Sequence, residues 1–105
     1  MKRFEVYRNG DPASVRQLPC LLILQSELLA DFPTRVVAPL IRIKDLGGMP
    51  IALLNPCFDI EGQRLAMYTQ QIAGVPKRYL GKFVCNLDAE RDTILRALDF
   101  LFSGI

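Results

Sequence analysis

The sequence predicts a mainly β domain with one C-terminal α-helix: a small antiparallel sheet, strongly bent or closed as a barrel, with the helix packed on it. Three observations carry this. About six short runs of strand character follow one another, separated by turn signals roughly every 8–14 residues. One longer stretch near the end, Asp88 to Ile105, has helical periodicity instead. No repeat, linker or low-complexity tract divides the 105 residues, so residues 1–105 read as one domain.

Residues 3–8 alternate, with Phe4 and Val6 on one face and Glu5 and Tyr7 on the other, as in a strand with one wet side. Asn9-Gly10-Asp11-Pro12 is a turn cluster, and the loop runs on through Ser14. Residues 20–24 are all apolar and of strand length, which predicts a central strand paired with the first in a wide-looped hairpin. Gln25 to Asp31 breaks the pattern as one helical turn or an extended bulge, and Pro33 ends it. Residues 34–43 are β-rich with Pro39 in their middle. A residue without an N–H there requires an edge, a bulge or a corner where the strand passes from one sheet to another. Asp45 to Pro50 is a loop, and residues 51–60 are mostly apolar and end in a strand over 57–60. Glu61-Gly62-Gln63 turns into a hairpin partner at 64–70. Gly74-Val75-Pro76 reads as a break, followed by two short strands, 77–80 and 82–85, around Gly81.

The last stretch predicts a helix with Asp88 as its cap, Asp92 at the positive end of its dipole and Gly104 at its stop. Asp92, Arg96, Asp99 and Ser103 fall in a stripe roughly 60° wide. Ile94, Leu95, Ala97, Leu98, Phe100, Leu101 and Phe102 cover an arc of about 220°, whereas a helix on one sheet needs little over 100°. The excess predicts two apolar partners, the protein's own sheet and a second surface. Phe100 and Phe102 flank the polar stripe, and aromatics beside polar groups are typical of binding hot spots.

Composition narrows the classes of function. With 50% hydrophobic and 23% charged residues the chain has the makings of a core. No apolar run approaches the ~18 residues of a membrane span, and MKRFEVYRNG has no apolar secretory segment. A net charge of +2 is too weak to argue for nucleic acid alone, yet suits an acidic protein partner. Cys20, Cys57 and Cys85 are an odd number in apolar settings with no CxxC spacing, which predicts buried, reduced thiols in a cytoplasmic protein. The chain has no His, so it lacks the usual base of a nucleophilic triad and the commonest metal ligand. Asp59 with Glu61, and Asp88 with Glu90 and Asp92, read as solvated carboxylates. Gly47-Gly48 lacks the Lys-Ser/Thr of a phosphate loop. Arg35, Arg42, Lys44, Lys77, Arg78 and Lys82 read as solvated surface or as a landing site for an acidic peptide. The residues alone lead to a dimeric binder rather than an enzyme, with no cofactor and no metal.

Several runs taken in order resemble one family. Phe4-x-Val6-Tyr7 resembles its first strand. Leu24-Gln25-Ser26-Glu27-Leu28-Leu29, then Arg35-Val36-Val37-x-Pro39-Leu40, resembles the stretch that follows. Leu54-x-Pro56, Ile60, Met67-x-Thr69, Val75-Pro76, Leu80-Gly81, Val84, Leu87 and Phe102-x-Gly104-Ile105 recur at the family's spacing. Together they resemble the CcdB family, the gyrase-poisoning toxins of bacterial type II toxin–antitoxin pairs. The resemblance implies a five-stranded SH3-like antiparallel barrel with a small extra sheet and a C-terminal helix. It implies a cytoplasmic homodimer meeting near its two-fold axis, through Leu98, Leu101 and Ile105. It also implies a toxin without substrate turnover, which binds the DNA gyrase A subunit while DNA is cleaved and traps that complex. DNA is met only indirectly, through gyrase or the antitoxin, and no membrane is involved. The gyrase contacts implied are Ser26, Leu28, Leu29, Asp99, Phe102, Ser103, Gly104 and Ile105. An acidic antitoxin with a disordered C-terminal half is implied to contact Tyr7, Leu28, Leu29, Asp99 and Phe102. This chain departs from the best-known family pattern at two positions, with Ser103 in place of Trp and Asp99 in place of Asn.

Overall fold

Strand β2 (Cys20–Ile23) is buried along its whole length, and the sheet grows outwards from it. The computed structural model describes residues 1–104. Strands β1 (Glu5–Asn9) and β3 (Thr34–Arg42) flank β2 antiparallel, with Val6 opposite Leu22 and Leu22 opposite Ala38. The central hairpin expected from the continuous apolar run is therefore present.

The far side of β3 is shared by two partners. Thr34–Val37 pair with β6 (Ala73–Pro76), and Leu40–Arg42 pair with β5 (Gln63–Met67). Pro39 falls at the change-over, where its carbonyl accepts the Tyr68 N–H at 2.8 Å. The N and O of a strand residue point to the same side, so the missing N–H faces the gap between the two partners. Pro39 thus marks a change of partner within one seven-stranded sheet, not an edge, a bulge or the passage between two sheets that the sequence suggested.

Strand β4 (Cys57–Ile60) and β5 form a hairpin in which Ile60 pairs with Gln63. Its two loop residues, Glu61 and Gly62, have φ of 51° and 79°. Left-handed geometry at both positions matches the twist of the strands. Arg64 pairs with Asp59 at 3.0 Å, and Arg8 of β1 pairs with Glu61. Each carboxylate of that acidic group thus faces its own arginine at an exposed site, where such pairs contribute little.

Two expectations are corrected in the next segment. Gly74-Val75-Pro76 is not a break but most of β6, an edge strand in which the proline interrupts no inner ladder. Lys77–Tyr79 is a 3₁₀ turn rather than a strand, held by the Gly10 N–H on the Tyr79 carbonyl at 2.7 Å. Strand β7 (Leu80–Asn86) then runs unbroken through Gly81 beside β1. A Cβ on Gly81 would lie 3.1 Å from the Arg8 carbonyl oxygen, so the two backbones approach closer than a side chain permits. The register slips here, with Tyr7 opposite Phe83 and Asn9 opposite Leu80.

The order is β4-β5-β3-β2-β1-β7, with β6 beside the first half of β3. This bent antiparallel sheet is a half-barrel, carrying one C-terminal helix, α1 (Arg91–Ser103). On one face Val6, Leu22, Leu40, Leu65 and Met67 pack with Ile94 and Ala97 of α1. The opposite face holds a smaller core of Leu21, Ile23, Val37 and Leu80, with Tyr7 and Val75. Among the cysteines only Cys20 is fully buried, and Cys57 and Cys85 are half-buried. Burial pushes the Cys20 and Cys85 thiols up, which keeps them in the unreactive form at neutral pH. No helix among the described residues is long and apolar enough to cross a membrane.

Candidate functional site

The chain enters α1 through a 3₁₀ turn, Asp88–Glu90. Asn86 Oδ1 accepts the Asp88 N–H at 2.6 Å, an Asx-type contact that leads the chain into the turn. Asp88 is therefore not the helix cap the sequence suggests: it opens a 3₁₀ turn three residues ahead of Arg91, and among the described residues no side chain caps α1 itself. The helix stops where its Gly104 cap adopts φ 72°, with the Gly104 N–H on the Phe100 carbonyl at 2.8 Å. Asp92, Arg96, Asp99 and Ser103 are all exposed, as the stripe predicts. Within one chain only Ile94 and Ala97 are fully buried. Leu95 and Leu98 pack on the core yet stay half-buried, as are Phe100 and Leu101. Phe102 is 74% exposed. The apolar excess of the helix is therefore left largely uncovered towards its C-terminal end.

A second exposed cluster lies on the β2–β3 connection. Its 3₁₀ turn, Glu27–Leu29, is capped by Ser26, whose Oγ accepts the Leu28 N–H at 3.2 Å. The turn lifts Leu28 to 91% exposure, with Leu29 and Phe32 also exposed beside it. Ser26, Glu27 and Leu28 line an open groove of about 760 Å³ with Phe4, Asn86, Asp88 and Arg91. The Phe4 ring floors this region below the guanidinium carbons of Arg3 and Arg91, at 4.9 and 5.7 Å from its centroid. Its backbone has φ 72°, a costly conformation for an aromatic residue.

Tyr7 sits on the other side of the sheet from Val6. Its hydroxyl donates to Glu5 Oε1 at 2.7 Å, and its ring meets Phe83 edge-on at 5.7 Å. Burial and this bond push the Tyr7 phenol up to about 12. Burial alone would raise Glu5, but the Lys2 N–H and the Tyr7 hydroxyl outweigh it and hold Glu5 below its ordinary value. A raised phenol stabilises the fold fully below its unfolded pKa of about 10, and the contribution is lost as pH rises towards 12. Absorbance titration of the parent against Tyr7→Phe should show one phenol ionising about two units late. Ionisation of that phenol near 10 would mean the Glu5 bond is absent in solution.

A family model described as CcdB protein matches residues 3–104. The chain belongs to the CcdB family. Comparison with curated proteins finds no match. Membership in the CcdB family implies a toxin of a toxin–antitoxin pair directed at gyrase.

The CcdB half-barrel distributes the expected contact residues over two places. Ser26 and Leu28 adjoin the start of α1, through the groove they share with Asp88 and Arg91. Asp99, Phe102, Ser103 and Gly104 lie towards its other end, roughly 12–20 Å along the axis from Arg91 at about 1.5 Å per residue. Leu29 is exposed on the turn beside Leu28, and Tyr7 is half-buried on the sheet. Leu98 and Leu101 are half-buried on the helix, and Ile105 lies outside the described residues. Arg35 does not belong to the solvated basic set, being only 4% exposed. Two apolar groups escaped the sequence reading: Phe32 beside the Leu28 turn, and Met49, Ile51 and Leu53 on the β3–β4 connection. The signal for the second was an apolar run interrupted by Gly and Pro, which cannot bury itself as a strand.

Proposed function

We propose that this chain is the toxin of a type II pair that binds the DNA gyrase A subunit and traps the gyrase–DNA cleavage complex. It does so by binding alone, with no reaction of its own. It acts in the bacterial cytoplasm, and DNA is reached only through gyrase or the antitoxin. The observation that carries this reading is the uncovered end of α1, where Phe102 projects at 74% exposure beside Asp99 and Ser103. Apolar surface there gains by transfer into a partner's pocket. Ser26, Leu28, Leu29 and Gly104 supply the remaining gyrase contacts together with Ile105. An acidic antitoxin competes for Tyr7, Leu28, Leu29, Asp99 and Phe102. The half-buried Leu98 and Leu101 support a homodimer in which a second copy covers the helix with the help of Ile105.

Deleting residues 103–105 is expected to abolish killing while leaving the fold intact, because the core ends at Ala97 and Leu98, and to leave a dimer held by Leu98 and Leu101. Growth after induction, with circular dichroism and sedimentation on the purified protein, reads both outcomes. A truncated chain that still kills would remove the terminal-segment mechanism.

A second reading is favoured by one residue. Ser103 stands where the best-known family pattern has Trp, and a missing aromatic anchor costs an interface several-fold to many-fold in affinity. In this reading the chain binds antitoxin, as a sink or co-repressor, without poisoning gyrase. Expression without antitoxin separates them: growth arrest with a DNA-damage response supports the poison, and undisturbed growth supports the sink.

A further inference from the structure

We propose that Arg35 and Gln25 form a latch that holds residues 26–33 as a preformed apolar knob, with Arg35 as a positioning residue for the gyrase contact made there. The inference rests on the reading that Leu28 and Leu29 touch the gyrase A subunit, and it adds Phe32 to that contact. The Arg35 guanidinium donates to the carbonyls of Phe32, Thr34 and Ala30 at 2.5, 2.9 and 2.8 Å. Among the described residues no carboxylate pairs with it. A buried cation satisfied by carbonyls alone is an expensive way to close a turn. The planar fork suits the task, since its donors reach three carbonyls in different directions. Gln25 completes the pattern. Its amide donates to the Leu29 and Thr34 carbonyls at 3.0 and 3.4 Å, and its oxygen accepts the Val36 N–H at 3.1 Å.

The connection is thus inverted relative to an ordinary surface loop. An ordinary loop solvates its carbonyls and tucks its apolar side chains inward. Here the carbonyls of residues 29, 30, 32 and 34 are held by two nearly buried side chains, while Leu28, Leu29 and Phe32 face solvent. Locking the backbone before binding removes ordering cost at the moment of contact, which benefits a partner with a complementary apolar pocket. The chemistry that fits is an apolar recess on the gyrase A subunit, filled by two leucines and a phenylalanine.

The test is a double-mutant cycle on the full chain, read by affinity for purified gyrase A subunit. Arg35→Met keeps apolar bulk and removes the donors. It is expected to weaken binding at least tenfold while still folded, and to speed proteolytic cleavage within 26–33. In a Leu28→Ala/Leu29→Ala/Phe32→Ala background the same change is expected to add nothing, because the latch has no knob left to hold. A folded Arg35→Met variant with full affinity, or a further tenfold loss in the triple background, overturns the latch. Should Arg35→Met not fold, Gln25→Leu takes its place with the same two expectations. A triple variant that binds as tightly as the parent overturns the contact assignment instead, and the cleavage rates still report the latch separately.

Discussion

Phe102→Ala is expected to weaken binding to the gyrase A subunit by about 30-fold or more, roughly 2 kcal/mol, without moving the unfolding midpoint. The ring is 74% exposed and is not part of either core cluster, so truncating it removes almost nothing from the folded chain. Surface substitutions of this kind stay within about 0.5 kcal/mol of stability. In a complex the same ring would bury its apolar area in a pocket, and central aromatic anchors carry much of an interface's energy. Calorimetric titration of gyrase A subunit, beside thermal denaturation of the free toxin, separates the two quantities. Equal affinity of parent and variant would move the anchor elsewhere on the chain. A lowered midpoint would mean that the ring packs on its own fold in solution.

Ile94→Ala is expected to destabilise the fold by about 2–4 kcal/mol, seen as a lower urea midpoint with an unchanged slope. Ile94 is fully buried, and with Ala97 it is one of the two buried residues of α1. Removing its outer carbons opens a space in the core cluster that also holds Val6, Leu22 and Met67, whose strands are fixed by ladder bonds and cannot collapse inwards. A domain of about 100 residues has only ~5–10 kcal/mol in total, so this one site carries a large fraction. A loss below about 1 kcal/mol would show that the helix is held by its half-buried flanks instead.

What could be read from the sequence follows from how local its causes are. The continuous run at 20–24 identifies a central strand because only a strand covered on both faces tolerates five apolar residues in a row. Pro39 announces an interruption of pairing because one missing donor has few permissible surroundings, although its form, a gap between β5 and β6 in one sheet, is not one that the sequence suggested. The helix stop at Gly104 is equally local, since a left-handed cap follows from the absence of a Cβ. Strand β6 was illegible because Gly74 and Pro76 are turn residues by composition, and their pairing is with residues 34–37, far away in the chain. Arg35 failed for the same reason. Nothing next to it in sequence distinguishes a solvated arginine from one whose donors close a loop. On the candidate surface, Leu28, Leu29, Asp99 and Phe102 were assigned through resemblance, and periodicity on α1 only placed Asp99 in a polar stripe flanked by Phe102. Phe32 was overlooked because its exposure depends on the latch.

The separation of the two exposed clusters along α1 has a kinetic consequence. A partner that grips both ends is held bivalently, with each grip raising the effective concentration for the other. Such a complex dissociates slowly as long as both grips re-form faster than a rival arrives. A competitor needs to capture only one vacated end to lower the partner's chance of rebinding. Release then proceeds end by end, at a rate set by competitor concentration rather than by the full affinity of the original complex.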